Sequence, residues 1–380
     1  MEAIVLNTDL EAVGIVDVYK SFIWTDRYNE CGDFEIGLAI KNGMPDFVQK
    51  DYYLVNPDSE HVMTIDSISI DTDVEEGPTF LFTGESLEAL LKRRIIWTKT
   101  VFEAVDGVKP NLQNGIEKLI TDAIINPDMA VRRIDNFIFE ESKDPKITEL
   151  TFEAQYFGEE LYDVISKLCK ENDIGFKITL NDDLQFVFKL YAGVDRSYGT
   201  DEKPQIENPY VIFSPHFDNI VNTNYLDSNE SFKNVTLVAG ETDTAASGKE
   251  LSRDVYVVAL SDFYAGVFRR EIFTDANGVN RNLGSDDALS EEQYQAHLRQ
   301  AGIDTLIEHT MVTAFEGEVE PTSMYEYKKD YFIGDIIQIE DEYGHEGRAY
   351  ISEYIMSCDE QGVSAYPTFV TIQKGVYETE

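Results

Sequence analysis

Tyr19–Leu38 constrains the fold more than any other stretch of the chain. Tyr19, Phe22, Trp24 and Tyr28 crowd its first half, and Phe34, Ile36 and Leu38 alternate with Asp33, Glu35 and Gly37 in its second. A period of two is that of a strand with one face buried and the other in water. Asn29–Gly32 supplies turn residues between the two runs, with Gly32 expected to take positive φ. The segment predicts a hairpin in the wall of a β-barrel or sandwich. Phe34, Ile36 and Leu38 would pack the inside, and Asp33 and Glu35 would line a polar face. It carries no evident catalytic group.

The strand texture continues through Tyr52–Val55, Met63–Ile70 and Thr79–Thr83. A helix should follow Ser86 as N-cap, with Glu88 in its first turn and Lys92–Arg94 at its end, signs that suit the helix dipole. From about residue 96 the pattern becomes α+β. Leu112, Ile116, Leu119, Ile120 and Ile124 have helical spacing, as do Leu161, Val164, Ile165 and Leu168, with Gly175 ending the second helical region. Phe176–Leu190 predicts a hairpin turning at Asn181–Asp183. Further strands are expected at Tyr210–Phe213, Ile220–Tyr225, Asn234–Ala239, Val255–Val258 and Val267–Phe273, with a small polar loop at Gly240–Gly248. Ser290 should cap a helix bearing Tyr294, His297, Leu298 and Ala301, which Gly302 is expected to interrupt. Tyr331–Ile339, Gly347–Tyr354 and Phe369–Ile372 complete the strands.

A chain of 380 residues, 43% apolar and with 22 Phe and 21 Tyr, has material for two to four cores. Its 72 Asp and Glu against 31 Lys and Arg give a net charge of −41. Such a surface repels phosphates and anionic lipid, which argues against ordinary nucleic-acid or membrane-surface binding. It also suits a surface that DNA passes without adhering. Met1–Leu6 lacks the basic start and apolar run of a signal peptide, and no apolar run approaches the ~18 residues of a membrane helix. Cys31, Cys169 and Cys358 are too dispersed for a zinc site or a disulfide framework, so synthesis in a reducing cytoplasm is expected.

The motifs of catalysis are weak. Asp71–Gly77 has its glycine one place late for a calcium loop and lacks the closing Glu, and in Asp275–Asn280 Gly278 comes too early and Val279 replaces a ligand. His61, His216, His297, His309 and His345 show no metal-binding spacing, and neither a phosphate-cradling loop nor a GxSxG elbow is present. Cys169 reads as core. No catalytic residue, metal ligand or cofactor site is assigned. Arg269, Arg270 and Glu271 stand out as neighbours on one strand whose side chains point to alternating faces, and are read as a salt bridge, with one arginine able to pair across a subunit interface.

Taken in order, Asn29–Glu35, Thr83–Ile95, Tyr191–Ser197, Val211–Ser214, Asn234–Gly240, Arg269–Glu271, Asp330–Ile337 and Pro367–Phe369 resemble the siphovirus tail hub, or distal baseplate hub protein, family of long-tailed phages. That family is related in fold to the myophage baseplate hub. The resemblance implies an α+β, mainly β architecture with two tube-forming β-barrel-like domains and two peripheral α+β domains. The tube domains are placed at 1–95 and at 206–241 with 309–380, and the peripheral ones at 96–205 and 242–308. It implies a non-enzymatic homotrimer at the virion's tail tip, assembled in the host cytoplasm. Its neighbours would be the distal tail protein or tail tube, the tape measure protein and receptor-binding or tail-fibre proteins, with DNA passing transiently and no membrane insertion. Relatives that carry a wall-degrading module have it after the hub, and the sequence stops at Glu380, so none is expected here. Two other classes stay open at the level of residues. One is a glycosidase or peptidase using a carboxylate pair, and the other a carbohydrate-binding virion protein that stacks sugars on Tyr and Trp.

Overall fold

Trp24 and Phe34 sit opposite each other on antiparallel strands, their rings 6.1 Å apart and both buried. Around them the computed structural model builds a mainly β protein with helices on its flanks. It describes residues 1–39, 45–73, 77–200, 203–242, 253–259, 265–279, 289–309, 312–319, 324–359 and 362–371. The first strands are β1 (Ala3–Leu6), β2 (Ala12–Val16), β3 (Ser21–Arg27), β4 (Asp33–Ala39), β5 (Tyr53–Val55), β6 (Val62–Asp73) and β7 (Gly77–Ser86). Phe34, Ile36 and Leu38 are buried in β4 while Glu35 is exposed, as the alternation predicts. Gly32 does not take positive φ; its N–H bonds to Ser86 Oγ at 2.7 Å, and the Ser86 N–H returns to Gly32 O at 2.9 Å. Ser86 therefore fastens the β3–β4 turn and does not cap the next element, a 3-10 helix over Leu87–Arg93.

The second region holds β8 (Thr100–Phe102), α1 (Leu112–Ile120), β9 (Phe137–Glu140), α2 (Pro145–Thr148), β10 (Ala154–Tyr156), α3 (Leu161–Glu171), β11 (Gly175–Leu180) and β12 (Phe186–Tyr191). Asn111 caps α1 through the Asn114 N–H. Leu112, Ile116, Leu119, Ile120 and Ile124 form one buried stripe with Leu161, Val164, Ile165 and Leu168 of α3. Leu87, Leu90 and Leu91 of the 3-10 helix join the same core.

The last region comprises β13 (Ile212–Phe213), β14 (Ile220–Ser228), β15 (Val235–Thr242), β16 (Arg253–Ala259), β17 (Glu271–Asp275), α4 (Glu291–Ile307), β18 (Val312–Val319), β19 (Ile336–Glu340), β20 (Glu346–Asp359) and β21 (Gly362–Thr371). Several predicted strands are shorter than expected, among them Tyr210–Phe213, of which Ile212–Phe213 is strand. Val267–Phe268 falls in a 3-10 turn before β17, and Tyr331–Asp335 precedes β19 as a turn in which the Asp335 N–H bonds to Phe332 O. Of the expected loop at Gly240–Gly248, residues 243–248 lie outside the described residues, as do 74–76 and 280 in the two calcium-loop candidates and Ile372 at the end of the last predicted strand.

Gly302 does not interrupt α4. The helix runs through it because a Cβ there would lie 2.7 Å from Cγ2 of both Val238 and Val258, so glycine lets the helix settle onto β15 and β16. Gly302→Leu is expected to lower stability by about 2–3 kcal/mol through overpacking, read as a reduced midpoint in urea with far-UV dichroism unchanged at zero denaturant.

The main sheet has eleven strands, in the order β13-β19-β20-β3-β4-β7-β6-β5-β1-β2, with β21 also pairing β20. The mainly β, α+β architecture expected is thus found, and its barrel-like parts are an open sheet, not closed barrels. Closing the N-terminal strands would require β2 to meet β3, yet the free edge of β3 is taken by β20, with Trp24 opposite Met356 and Asp26 opposite Tyr354. The two β regions at the ends of the sequence are therefore one continuous sheet.

Candidate functional site at the joint around Tyr28

Tyr28 lies just past β3, where this sheet meets the α+β region, and is 2% exposed. Its N–H bonds to Ser352 O at 2.9 Å and its carbonyl accepts the Phe176 N–H at 3.2 Å, so one residue ties β20 to β11. Its hydroxyl donates to Asp173 O at 2.9 Å and accepts the Gly193 N–H at 3.3 Å. Tyr191 and Tyr350 pack against the ring with centroids 5.3 and 5.8 Å away. A Cβ on Gly175 or Gly334 would come within 2.4 or 2.3 Å of that ring. Gly175 thus starts β11 by making room for Tyr28, not by ending α3. The turn beyond is tied to α3: Ser166 Oγ donates to Asn29 O at 2.9 Å, Tyr162 Oη accepts the Cys31 N–H at 3.0 Å, and Lys170 pairs with Glu30.

The chain leaving β12 is fastened to the C-terminal strands by charge. Asp335, 1% exposed, accepts the Val194 N–H at 2.7 Å, Arg196 Nε at 2.7 Å and the Phe332 N–H at 3.0 Å. Arg348 of β20 reaches Asp195 Oδ2 at 2.7 Å and Ser197 Oγ at 3.0 Å. Val211 N–H bonds to Arg196 O at 3.0 Å, and Phe213 packs against Phe369 with ring centroids 5.1 Å apart. Six of the eight sequence motifs, from Asn29–Glu35 to Pro367–Phe369, converge on this joint.

Beside it lies a fully buried ion pair. Glu88 Oε1 accepts the Ile178 N–H at 2.6 Å, and His61 Nδ1 lies 3.3 Å from the same oxygen. Burial opposes the charge on His61, but the carboxylates of Glu88 and Asp26 outweigh it and raise the imidazole above its ordinary value. Burial likewise opposes the Glu88 charge, and the His61 charge with the Ile178 N–H prevails and lowers it. A cleft of about 470 Å3 opens here, lined by Asp26, Glu60, His61, Lys177, Tyr327 and Asp335 among others. Its charges are used internally, with Lys177 on Glu60 and Arg196 on Asp335. The arrangement fastens three lengths of chain.

Arg269, Arg270 and Glu271 lie elsewhere, beside β17. Arg269 Nε pairs with Glu271 Oε1 at 2.5 Å within the chain, while the Arg270 N–H bonds to Asn234 Oδ1 at 2.9 Å and its guanidinium to Asn229 O. The remaining two motifs, Asn234–Gly240 and Arg269–Glu271, thus meet each other. Cys169 is buried in the α1–α3 core. His297 is buried on α4, and His309 Nδ1 lies 2.9 Å from Thr305 O at the helix end. Asn277 N–H closes a turn onto Asp275 Oδ1 at 3.3 Å. The signal for the buried pair was weak: Glu88 stands among Leu87, Leu90 and Leu91, an acid inside an apolar stripe, but nothing local points to His61.

The profile of the Siphovirus ReqiPepy6 Gp37-like protein family matches residues 2–369. The chain belongs to this family. The resemblance to a siphovirus protein family read from the sequence is borne out over nearly its whole length. Solved structures agree in fold. Prophage tail protein gp18 of Listeria monocytogenes EGD-e is 12% identical, with TM-score 0.53 and a match covering 99% of this chain and 95% of gp18. The 43 kDa tail protein of prophage MuSo2 from Shewanella oneidensis is 12% identical, with TM-score 0.55 and full coverage of both chains. The tail protein of Neisseria meningitidis MC58 is 10% identical, with TM-score 0.54 over 99% of this chain and 97% of its own. No curated protein matches the sequence. The joint thus belongs to a siphovirus protein family and to a fold shared with prophage tail proteins.

Proposed function

We propose that this protein is the structural hub of a phage tail tip. It would assemble as a homotrimer that closes the distal end of the tail tube and connects it to receptor-binding or tail-tip proteins. The observation that carries this reading is the continuous sheet. Pairing of β3 with β20 sets two β regions side by side in one wall, braced from outside through Tyr28. Three such walls around a ring would present six segments, matching a tube of sixfold character. We retain 1–95 and 206–241 with 309–380 as the tube parts, and 96–205 and 242–308 as the peripheral parts that hold neighbouring proteins.

On the face of the sheet turned away from its core Asp33 stands directly opposite Glu85, with Asp66 nearby, and these carboxylates pair with Arg27, Lys92 and Arg93. The charge argument therefore rests on the whole chain: its net charge of −41 would keep DNA from adhering as it and the tape measure protein pass. The function is mechanical, with no catalytic step. Light scattering on the purified chain tests the assembly: about 130 kDa is expected, three times 43.2 kDa. A monomer at every protein and salt concentration would overturn the proposal.

A further inference from the structure

On a molecule this acidic, one surface is cationic and apolar together. Arg94 Nη2 donates to Arg132 O at 3.1 Å, and Arg132 Nη2 donates to Ile95 O at 2.9 Å, so the two segments lace their guanidinium groups side by side. Among the described residues neither guanidinium forms a salt bridge, and Arg94 Nε is buried without a hydrogen-bond partner. Burial and the charges of Arg132 and Arg93 lower the Arg94 pKa, the mark of like charges left uncompensated. Arg132 stacks over Trp97 at 5.0 Å. Around them Trp97 is 58% exposed, Phe157 65%, Met129 50% and Val131 87%. The strand bridge of Ile95 to Glu160 and the Gly158 N–H to Ile96 O bond hold the Phe157 loop beside Trp97. The nearby Glu159 turns its carboxylate to the Phe157 N–H at 2.5 Å.

We infer that the Arg94–Arg132–Trp97 surface docks a second copy of this chain, by taking carboxylates and an apolar side chain from the neighbour's acidic surface. The inference rests on the trimer proposed above and names one of its contacts. Charge decides the occupant: with 72 acidic residues against 31 basic, every copy presents the complement of this patch in abundance. Charge also decides the geometry. A two-fold contact centred on the patch would set arginine against arginine, so the patch must meet a different, acidic surface of the neighbour, and in the proposed trimer that contact runs head to tail around a closed ring. Desolvated arginine–carboxylate pairs flanked by Trp97 and Phe157 have the chemistry of an interface hot spot.

The test compares wild type, the double variant Arg94→Glu/Arg132→Glu, and Val131→Glu by light scattering over a protein and salt series. Val131 is 87% exposed, so its substitution leaves the fold intact, and thermal melts report folding for all three. Both variants are expected to raise the concentration for half-assembly, the double variant on the order of a hundred-fold. Added salt should weaken the wild-type assembly and change the double variant less. Trimeric wild type with variants that are equally trimeric and equally salt-sensitive would overturn the inference, leave the trimer standing, and assign the patch to an acidic partner of different sequence. A wild type monomeric under all conditions would overturn the trimer reading and this contact with it.

Discussion

Tyr28→Ala is expected to cost about 3–5 kcal/mol, the range for truncating a buried aromatic side chain in a packed core. The ring fills the space left by Gly175 and Gly334, and its removal would open a cavity at the point where β20, β11 and the chain after β12 meet. The hydroxyl's bond to Asp173 O would be lost as well. Tyr28→Phe keeps the ring and is expected to cost only about 1 kcal/mol, the net worth of a hydrogen bond. Urea unfolding followed by fluorescence measures both. Because the joint holds two regions together, Tyr28→Ala should also speed proteolysis of the Ala192–Ser197 segment in native buffer. A Tyr28→Ala protein as stable and as resistant as wild type would show that the joint does not brace the molecule.

The second large effect belongs to the buried pair. Glu88→Ala strands the His61 imidazolium and frees the Ile178 N–H, at an expected cost of about 3–5 kcal/mol. His61→Gln should show the pH dependence. A raised histidine pKa contributes stability that is fully present below the ordinary value of 6.5 and is lost as pH rises through the higher folded value. The lowered Glu88 pKa contributes above its ordinary 4.5 and loses that contribution as pH falls through the depressed value. The pair is therefore strongest between about 4.5 and 6.5 and weakens on either side. Glu171, pushed up to about 8 by burial and the Asp304 charge, also loses stability as pH rises, so the alkaline slope of wild type has two sources. Subtracting the melting profile of His61→Gln from that of wild type isolates the histidine. The difference should shrink as pH rises above neutral. A difference constant from pH 5 to 9 would mean that folding leaves the His61 pKa unshifted, and would contradict the ion pair.

How far the sequence could be read depended on whether the physics was local. Phe34, Ile36 and Leu38 were legible because a strand's alternation reports its own burial, and the α1 and α3 stripes because helical spacing does the same. Asn181–Asp183 was legible as a turn from its own side chains, and Asn181 Oδ1 indeed accepts the Asp183 and Gln185 N–H groups. Glycine was read by its conformational freedom, whereas Gly302 and Gly175 serve the approach of residues distant in sequence: Val238 and Val258 for one, Tyr28 for the other. The join of β3 to β20 was hidden for the same reason. Edge and interior strands carry the same alternation, so nothing in Ser21–Arg27 announces a partner more than three hundred residues away. The motifs that carried the family resemblance were visible singly, but only the fold shows that most of them are parts of one joint. The arginine patch escaped because Lys92–Arg94 reads locally as the basic end of a helix, and Arg132 is brought to it by tertiary structure.

β3 and β20 make one wall, and in the proposed hub three such walls make a ring. Electron-microscope images of the purified assembly test it most directly. A closed ring with threefold symmetry, a central opening and a sixfold-like inner wall is expected. A two-fold particle, or an open filament at every salt concentration, would contradict it.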